Sequence, residues 1–393
     1  MLDELFLPLF EKLLGRSLPH ALEDMTDVSA KTWRTSGGPK RPRAQQKVQE
    51  NLHKWGLAKL MDTGGYPPDE AKKIADLRLA QFGKAGFLTS LAQGFNSPGN
   101  FEWPQTEALG QQLDADTEVI RGLYIAKDLQ GLQTRLLAFC EQGPSSTWLS
   151  TLQGFDEALE EAKQATCWGG LIKLLAFWSA QSVYRFLASW DVEFHAVYLT
   201  DKASGRGMRP QPLFGLLLPT LRPGVKPGSD GNYLSRGLFH PPLRRLLELS
   251  FRLAHFHRYH QWPKTKDARR RDVAAWGGST LLGTETTEQP LAKIYRGSRS
   301  LTGEEFLDVW VSMCGEDKDG ISPMPPWPCY IAAQIWTHLF VETISSKRYA
   351  GIRSMITQGP EVYSYWWTYY FEQFKAKNVR FGDMPWPSYL VTA

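Results

Sequence analysis

Residues 243–260 read Leu-Arg-Arg-Leu-Leu-Glu-Leu-Ser-Phe-Arg-Leu-Ala-His-Phe-His-Arg-Tyr-His. Leu243, Leu246, Leu247, Phe251 and Ala254 recur at steps of three and four, the spacing of one face of an α-helix. Arginines fall in the gaps, at 244, 245, 252 and 258, so the segment is an amphipathic helix with an apolar side and a basic side. The same period predicts helices over 68–93, 116–141, 155–189, 301–314, 329–348 and 360–377. The pair Gly169-Gly170 predicts a kink, or two helices, inside 155–189. Phe194–Leu199 alternates and reads as a short strand, but the repeated strand–helix succession of an α/β sheet is absent. The fold class expected is all-α, or nearly so.

The stretch 201–241 breaks the pattern. It is rich in Gly, Pro and Arg around one apolar run, Leu213–Leu218, and reads as a long loop or hairpin of the kind that is usually functional or disordered. The first sixty residues form short helices punctuated by Ser17 and Pro19, by Thr26-Asp27-Val28, by Ser29 and by Gly37-Gly38-Pro39, with Ala44–Trp55 helical again. These breaks divide the chain into 1–60, 61–200 and 201–393, the last carrying a basic loop and helix over 202–271 and an aromatic-rich C-terminal third.

Hydrophobic residues make up 42% of the 393, enough for a sizeable core, and fifteen Trp exclude a wholly disordered chain. The opening Met-Leu-Asp-Glu puts acid where a secretory leader needs base. The best apolar run, Gly169–Ala180, is interrupted by Lys173 and is too short for a membrane span. The expectation is a cytoplasmic protein without a membrane partner. Cysteines at 140, 167, 314 and 329 form no Cys-x-x-Cys pair, so reduced, buried thiols are expected and neither a zinc site nor any other cofactor is. Asp317-Lys-Asp-Gly begins like a calcium loop but lacks its distal ligand and reads as a turn.

The charge is unevenly spread. Net charge is +4, yet residues 31–54 carry seven Lys/Arg against Glu50 alone, a net +6, and residues 202–271 carry +12, leaving −14 on the remainder. Two basic regions on an acidic body imply a polyanion partner held through release of counterions from its phosphates.

Within the first basic region, residues 21–36 read Ala-Leu-Glu-Asp-Met-Thr-Asp-Val-Ser-Ala-Lys-Thr-Trp-Arg-Thr-Ser. A small residue at Ala21, a turn at Asp27, an apolar residue at Val28, a helix cap at Ser29 and Thr32 follow one another at the spacing of a helix-turn-helix. The segment resembles the phage-repressor-like (Cro/cI type) DNA-binding family, with Asp27 where that family prefers Gly at a turn of positive φ. Gly38, Pro42 and the spacing of Val48, Leu52 and Leu57 fit the helix that follows in that family. The resemblance covers about residues 1–58 and implies a recognition helix that buries Trp33 and offers Ala30, Lys31, Arg34 and Thr35 to base edges. Lys40, Arg41, Arg43 and Lys47 then stand where phosphates lie.

In the second region, Arg244, Arg245, Arg252, Arg258, Lys264, Lys266, Arg269, Arg270 and Arg271 are candidate backbone contacts, and Tyr259 and Trp262 candidate platforms for unpaired bases. Arg252 and His257 have the Arg-x4-His spacing of HEPN ribonucleases, a resemblance that implies RNA cleavage by an arginine and a histidine from paired helices. In that family a polar residue usually follows the arginine; here it is Leu253. His255 to Arg258 has the His-x-x-Arg spacing of tyrosine recombinases, without that family's Gly-rich context. His257 and His260 alone could share a helix face, and no carboxylate joins them to make a metal site.

The function expected is DNA binding, with RNA as the alternative nucleic acid, in a regulator or a subunit of a nucleoprotein assembly from a mobile element or defence system. Catalytic residues are not expected on that reading. A HEPN-like ribonuclease or toxin using Arg252 and His257 is the second reading. A protein-interaction scaffold is the third: Tyr363-Ser-Tyr-Trp-Trp-Thr-Tyr-Tyr is too continuous for one buried face and suits a protein partner.

Overall fold

The computed structural model describes residues 18–36, 38–62, 67–81, 88–89, 92, 104–141, 149–150, 152, 154–199, 208–221, 239–259, 262–263, 288–315, 326–345 and 358–383. They are overwhelmingly helical, and the one sheet among them has two strands of two residues each. The all-α class follows. The chain divides into two compact units, Met1–Glu118 and Val119–Ala393.

The first unit contains α1 (Leu18–Thr26), α2 (Ala30–Ser36), α3 (Pro42–Asp62), α4 (Pro68–Gln81) and the first part of α5 (Pro104–Ile125). α1 packs on α2 and on α3, and α3 packs on α4. Apolar spacing on α3 puts Val48 and Leu52 in the core, while Leu57 leans on Ala71 and Ala75 of α4. Across the α3–α4 contact the His53 ring lies 2.7 Å from Asp76 Oδ1. Asp114 on α5 ties down a separate short segment, accepting from Thr89 N–H at 2.8 Å and Thr89 O–H at 2.6 Å.

The second unit is built around α8 (Ile172–Tyr198), which has residues buried on nearly every side and therefore shows no clean polar face. α6 (Leu129–Glu141) and α7 (Phe155–Lys163) pack on it, as does α13 (Gly359–Ala376). α9 (Pro242–Tyr259) packs on α10 (Glu288–Tyr295), α11 (Gly303–Cys314) and α12 (Trp327–Ser345). Leu243, Leu246, Leu247, Phe251 and Ala254 all face inward on α9, as the period requires. Thr302 and Glu305 close a capping box at the start of α11, each side chain bonding the other's backbone N–H.

Several expectations are corrected. Phe194–Leu199 is no strand but the last turns of α8 and its C-cap; Phe194 and His195 are adjacent and both buried, so two-residue alternation carried no weight there. The helix expected over 116–141 begins earlier, at Pro104, and is interrupted where Lys127 turns left-handed at φ 58°. The stretch 155–189 is two helices, as Gly169-Gly170 suggested, with both glycines in a 3-10 turn (Trp168–Leu171) that leads into α8. The expected loop 201–241 does fold back as a hairpin, β1 (Thr220–Leu221) pairing antiparallel with β2 (Phe239–His240), and its apolar run Leu213–Leu218 is core.

Many of the described aromatic residues of the C-terminal third are spent on this core. Tyr363, Trp366, Trp367, Tyr370 and Phe374 are buried on α13, and Trp310 and Trp336 are buried with them. Of the cysteines, Cys140, Cys314 and Cys329 are buried but Cys167 is exposed. No described helix is long and apolar enough to cross a membrane, and no three described His, Cys, Asp or Glu residues are placed to hold a metal ion.

Candidate nucleic-acid interface

The first basic region folds as two helices joined by a tight turn, followed by a third. α1 ends at Thr26, whose hydroxyl donates back to Leu22 O and accepts from Val28 N–H. Asp27 turns the chain at φ 58°, with its N–H on Glu23 O at 2.8 Å. Ser29 then opens α2: its hydroxyl accepts from Thr32 N–H and lies 2.9 Å from the Thr32 hydroxyl. Asn51, from α3, reaches back to this turn and donates to Thr26 O at 2.9 Å and to Asp27 Oδ2 at 3.2 Å. No pattern in the sequence singled out Asn51, because its partners lie 24 and 25 residues away.

α2 shows two distinct sides. Ala30 is 6% exposed, which corrects its expected place on the outer face: α2 packs on α1, and a small side chain lets the two helices approach. Trp33 covers the exit of the helix. Its ring lies over Gly38, where φ is 115° and a Cβ would fall 2.6 Å from the indole, so glycine is required there for two reasons. Lys31, Arg34 and Thr35 are exposed, Lys31 and Thr35 away from Ala30 and Arg34 beside it at the edge facing α1. The Thr35 hydroxyl donates to Lys31 O at 2.9 Å, and the Arg34 guanidinium lies 3.2 Å from the His20 ring of α1.

The basic surface continues through the link into α3. Lys40, Arg41, Arg43 and Lys47 are exposed, as is Lys54 further along. Among the described residues none of these five, nor Lys31, makes an ion pair. At about 100° per residue, Arg43, Lys47 and Lys54 share an arc of roughly 40° on α3, with Glu50, bonded to Gln46, about 20° outside it. No acid stands in the first turn of α3. Arg41 and Arg43 are thus gathered at the positive end of a helix dipole, where cations are disfavoured by about 0.3–1 kcal/mol each unless an anion joins them.

The second basic region is arranged differently. The Arg245 side chain is mostly buried. It donates to Leu216 O and, at 3.0 Å, to Thr220 Oγ1, and burial lowers its pKa from the usual guanidinium value. Arg244 pairs with Glu248 at 2.8 Å and lies over the Tyr295 ring. Arg258 donates to Cys314 O at 2.7 Å and Ser312 O at 2.9 Å, capping the carbonyl end of α11. These three guanidinium groups hold the fold together. Arg252 is half-buried and His257 exposed, and their five-residue spacing sets them about 140° apart around α9, so they do not share a face. Tyr259 is exposed, its ring 4.8 Å from His255, whereas Trp262 is stacked on Phe256 at 4.6 Å. Lys264, Lys266, Arg269, Arg270, Arg271, His260 and the loop at Asp317 lie outside the described residues.

A further polar cluster, buried in the second unit, went unread in the sequence. Asp191 and His195, one turn apart on α8, are both fully buried. Asp191 Oδ2 accepts from Phe214 N–H at 2.9 Å and Tyr363 O–H at 2.8 Å, and the His195 ring nitrogen Nε2 meets Gln211 O at 2.6 Å. Burial pushes the Asp191 carboxyl well above its usual range and lowers the His195 pKa from 6.5 to about 3. The Asp-x-x-x-His spacing was the one available signal, and it is too common to mean anything without its partners.

No family model, no curated protein and no solved structure matches this chain.

Proposed function

We propose that the protein binds DNA through α1–α3, as a regulator or as a subunit of a nucleoprotein assembly such as a mobile element or defence system uses. One observation carries the reading. Lys31, Lys40, Arg41, Arg43, Lys47 and Lys54 are exposed without a carboxylate partner among the described residues, and all but Lys54 belong to α2, the link after it or the first turns of α3. A merely solvated face has no need to gather cations at a helix N-terminus, whereas a phosphate there is attracted by both the side chains and the positive end of the helix dipole. The resemblance of residues 21–36 to phage-repressor-like helix-turn-helix segments, and the left-handed turn at Asp27, support the assignment of α2 as the helix that enters a groove. On this reading Lys31, Arg34 and Thr35 meet bases, and Lys40, Arg41, Arg43 and Lys47 meet phosphates. Arg244, Arg245 and Arg258 contribute through the fold.

The test is binding of the full chain to labelled duplex DNA, single-stranded DNA and RNA across salt. With about five phosphate contacts, the log–log slope on duplex is about −4.5, so affinity falls several hundredfold between 50 and 200 mM salt. The triple variant Lys40→Gln, Arg43→Gln, Lys47→Gln flattens the slope by about three units. Absence of binding to all three probes at low salt overturns the proposal. A preference for RNA with the same variant response redirects it.

A further inference from the structure

We propose that Asp191 and His195 are a proton-balanced pair that makes closure of the strap Met208–Leu221 insensitive to mild acid: both side chains are neutral while the strap is closed, and opening it moves one proton from Asp191 to His195. The strap is a stretch without regular structure apart from one 3-10 turn and β1, and it is stapled to four helices. Met208 N–H reaches Leu199 O at 2.8 Å, and His195 of α8 holds Gln211. Asp191 of α8 and the Trp336 indole of α12 hold the two ends of the Phe214 peptide group's polar atoms, N–H and O respectively. Arg245 of α9 holds Leu216, and the Tyr363 ring of α13 lies against Gly215. His195 and Asp191 are thus the two titratable staples on the α8 side.

Hydrogen-bond geometry fixes where their protons are. A carbonyl oxygen only accepts, so the 2.6 Å contact to Gln211 O puts a hydrogen on His195 Nε2; the Gln211 N–H also approaches that nitrogen, but at 3.4 Å it is the much weaker contact. On Asp191 both donors, Phe214 N–H and Tyr363 O–H, converge on Oδ2. Oδ1 is buried and receives no hydrogen bond. An ionised carboxylate would leave half its charge on that bare oxygen in a dry core, so the proton belongs on Oδ1.

Among the described residues, the groups that face the pair are uncharged. Oδ1 is 3.9 Å from His195 Nε2, beyond hydrogen-bond reach. From α13 come the Tyr363 hydroxyl and the edge of the Trp367 ring, and from α12 the Cys329 thiol, which burial keeps protonated. Arg209, the sole ionisable residue of the strap, is exposed. Glu193, on α8 itself, points about 200° around the helix from each of the two.

The signs oppose. A lowered His195 pKa means the closed state binds fewer protons there than the open one, so its contribution to closure is present above pH 6.5 and lost as pH falls toward 3. A raised Asp191 pKa means the closed state binds more, so that contribution is present below the ordinary 3.8 and lost as pH rises. Between about 3.8 and 6.5 the open strap carries a carboxylate and an imidazolium, the closed strap an acid and an imidazole. Each holds one transferable proton: the Asp191 O–H bond breaks, an N–H bond forms at His195 Nδ1, and solvent supplies none.

Amide exchange at Phe214 in the full chain, corrected for the intrinsic effect of pH on exchange, reads strap opening directly. Wild type changes its opening constant by less than about fivefold between pH 6.5 and 4.5. Asp191→Asn leaves His195 uncompensated, and opening rises by roughly fiftyfold to hundredfold over the same interval. His195→Gln moves in the opposite sense, opening falling as pH falls. Should either variant not fold, the wild-type His195 ring resonances decide: neutral and Nε2-protonated at pH 5 supports the proposal. An imidazolium signal at pH 5, or a wild type that opens a hundredfold more readily at pH 4.5, overturns it.

Discussion

Replacing Asn51 by Ala removes a side chain that reaches from α3 to the turn between α1 and α2. Two hydrogen bonds are lost, to Thr26 O and to Asp27 Oδ2. At about 0.5–1.5 kcal/mol each in a half-exposed setting, the loss is about 1–2 kcal/mol. The carboxylate partner adds little, because it is solvated. Asp27 sits at φ 58°, a conformation that disfavours an L-residue by about 1 kcal/mol. Asn51 therefore holds in place a turn that is locally uphill. Asp27→Gly relieves that strain while losing only the Oδ2 bond, so it is close to neutral, within about 0.5 kcal/mol. The double variant recovers part of the Asn51→Ala loss. Because the chain has two compact units, a global melt would blur the effect, and amide exchange at residues 27 and 32 is the local readout. Opening of the turn increases about fivefold to thirtyfold in Asn51→Ala and hardly changes in Asp27→Gly, and duplex affinity falls with it by no more than that factor. An unchanged amide at Asp27 in Asn51→Ala, or an Asp27→Gly variant as damaged as Asn51→Ala, refutes the reasoning.

Gly215→Ala puts a methyl group 2.7 Å from Tyr363 Cδ1, in a ring that its hydroxyl anchors at both Asp191 and Leu187, so thermal unfolding of the second unit shifts down by an amount equivalent to about 1–3 kcal/mol. Arg258→Ala uncaps the Ser312 and Cys314 carbonyls at the end of α11, costing about 1–2 kcal/mol by denaturant titration, and leaves DNA affinity unchanged because that guanidinium is engaged with the protein.

The helical class and most of the helices were legible from local information. Steps of three and four residues located α9, α11, α12 and α13, and Ser29, Asp27 and Gly38 marked the breaks around α2, because caps, turns and periodicity act within a few residues. The same information failed at Phe194–Leu199, where a helix buried on nearly every side leaves little period to read. It also failed at Ala30, whose side of α2 is chosen by α1. Charge told a similar story. Composition located both basic regions correctly as stretches of sequence, but it could not separate Arg43 and Lys47, which stand in solvent, from Arg245 and Arg258, which are turned onto backbone carbonyls.

What sequence alone determined, then, was the kind of element each stretch forms and where cations are concentrated, since both depend on neighbours along the chain. Which cations remain available to an anion, which aromatic residues are consumed by the core, and that Asn51, Asp191, His195 and Tyr363 matter at all were decided by tertiary structure. Their partners lie between 16 and about 170 residues away, and a hydrogen bond or a buried charge takes its value from what surrounds it in space.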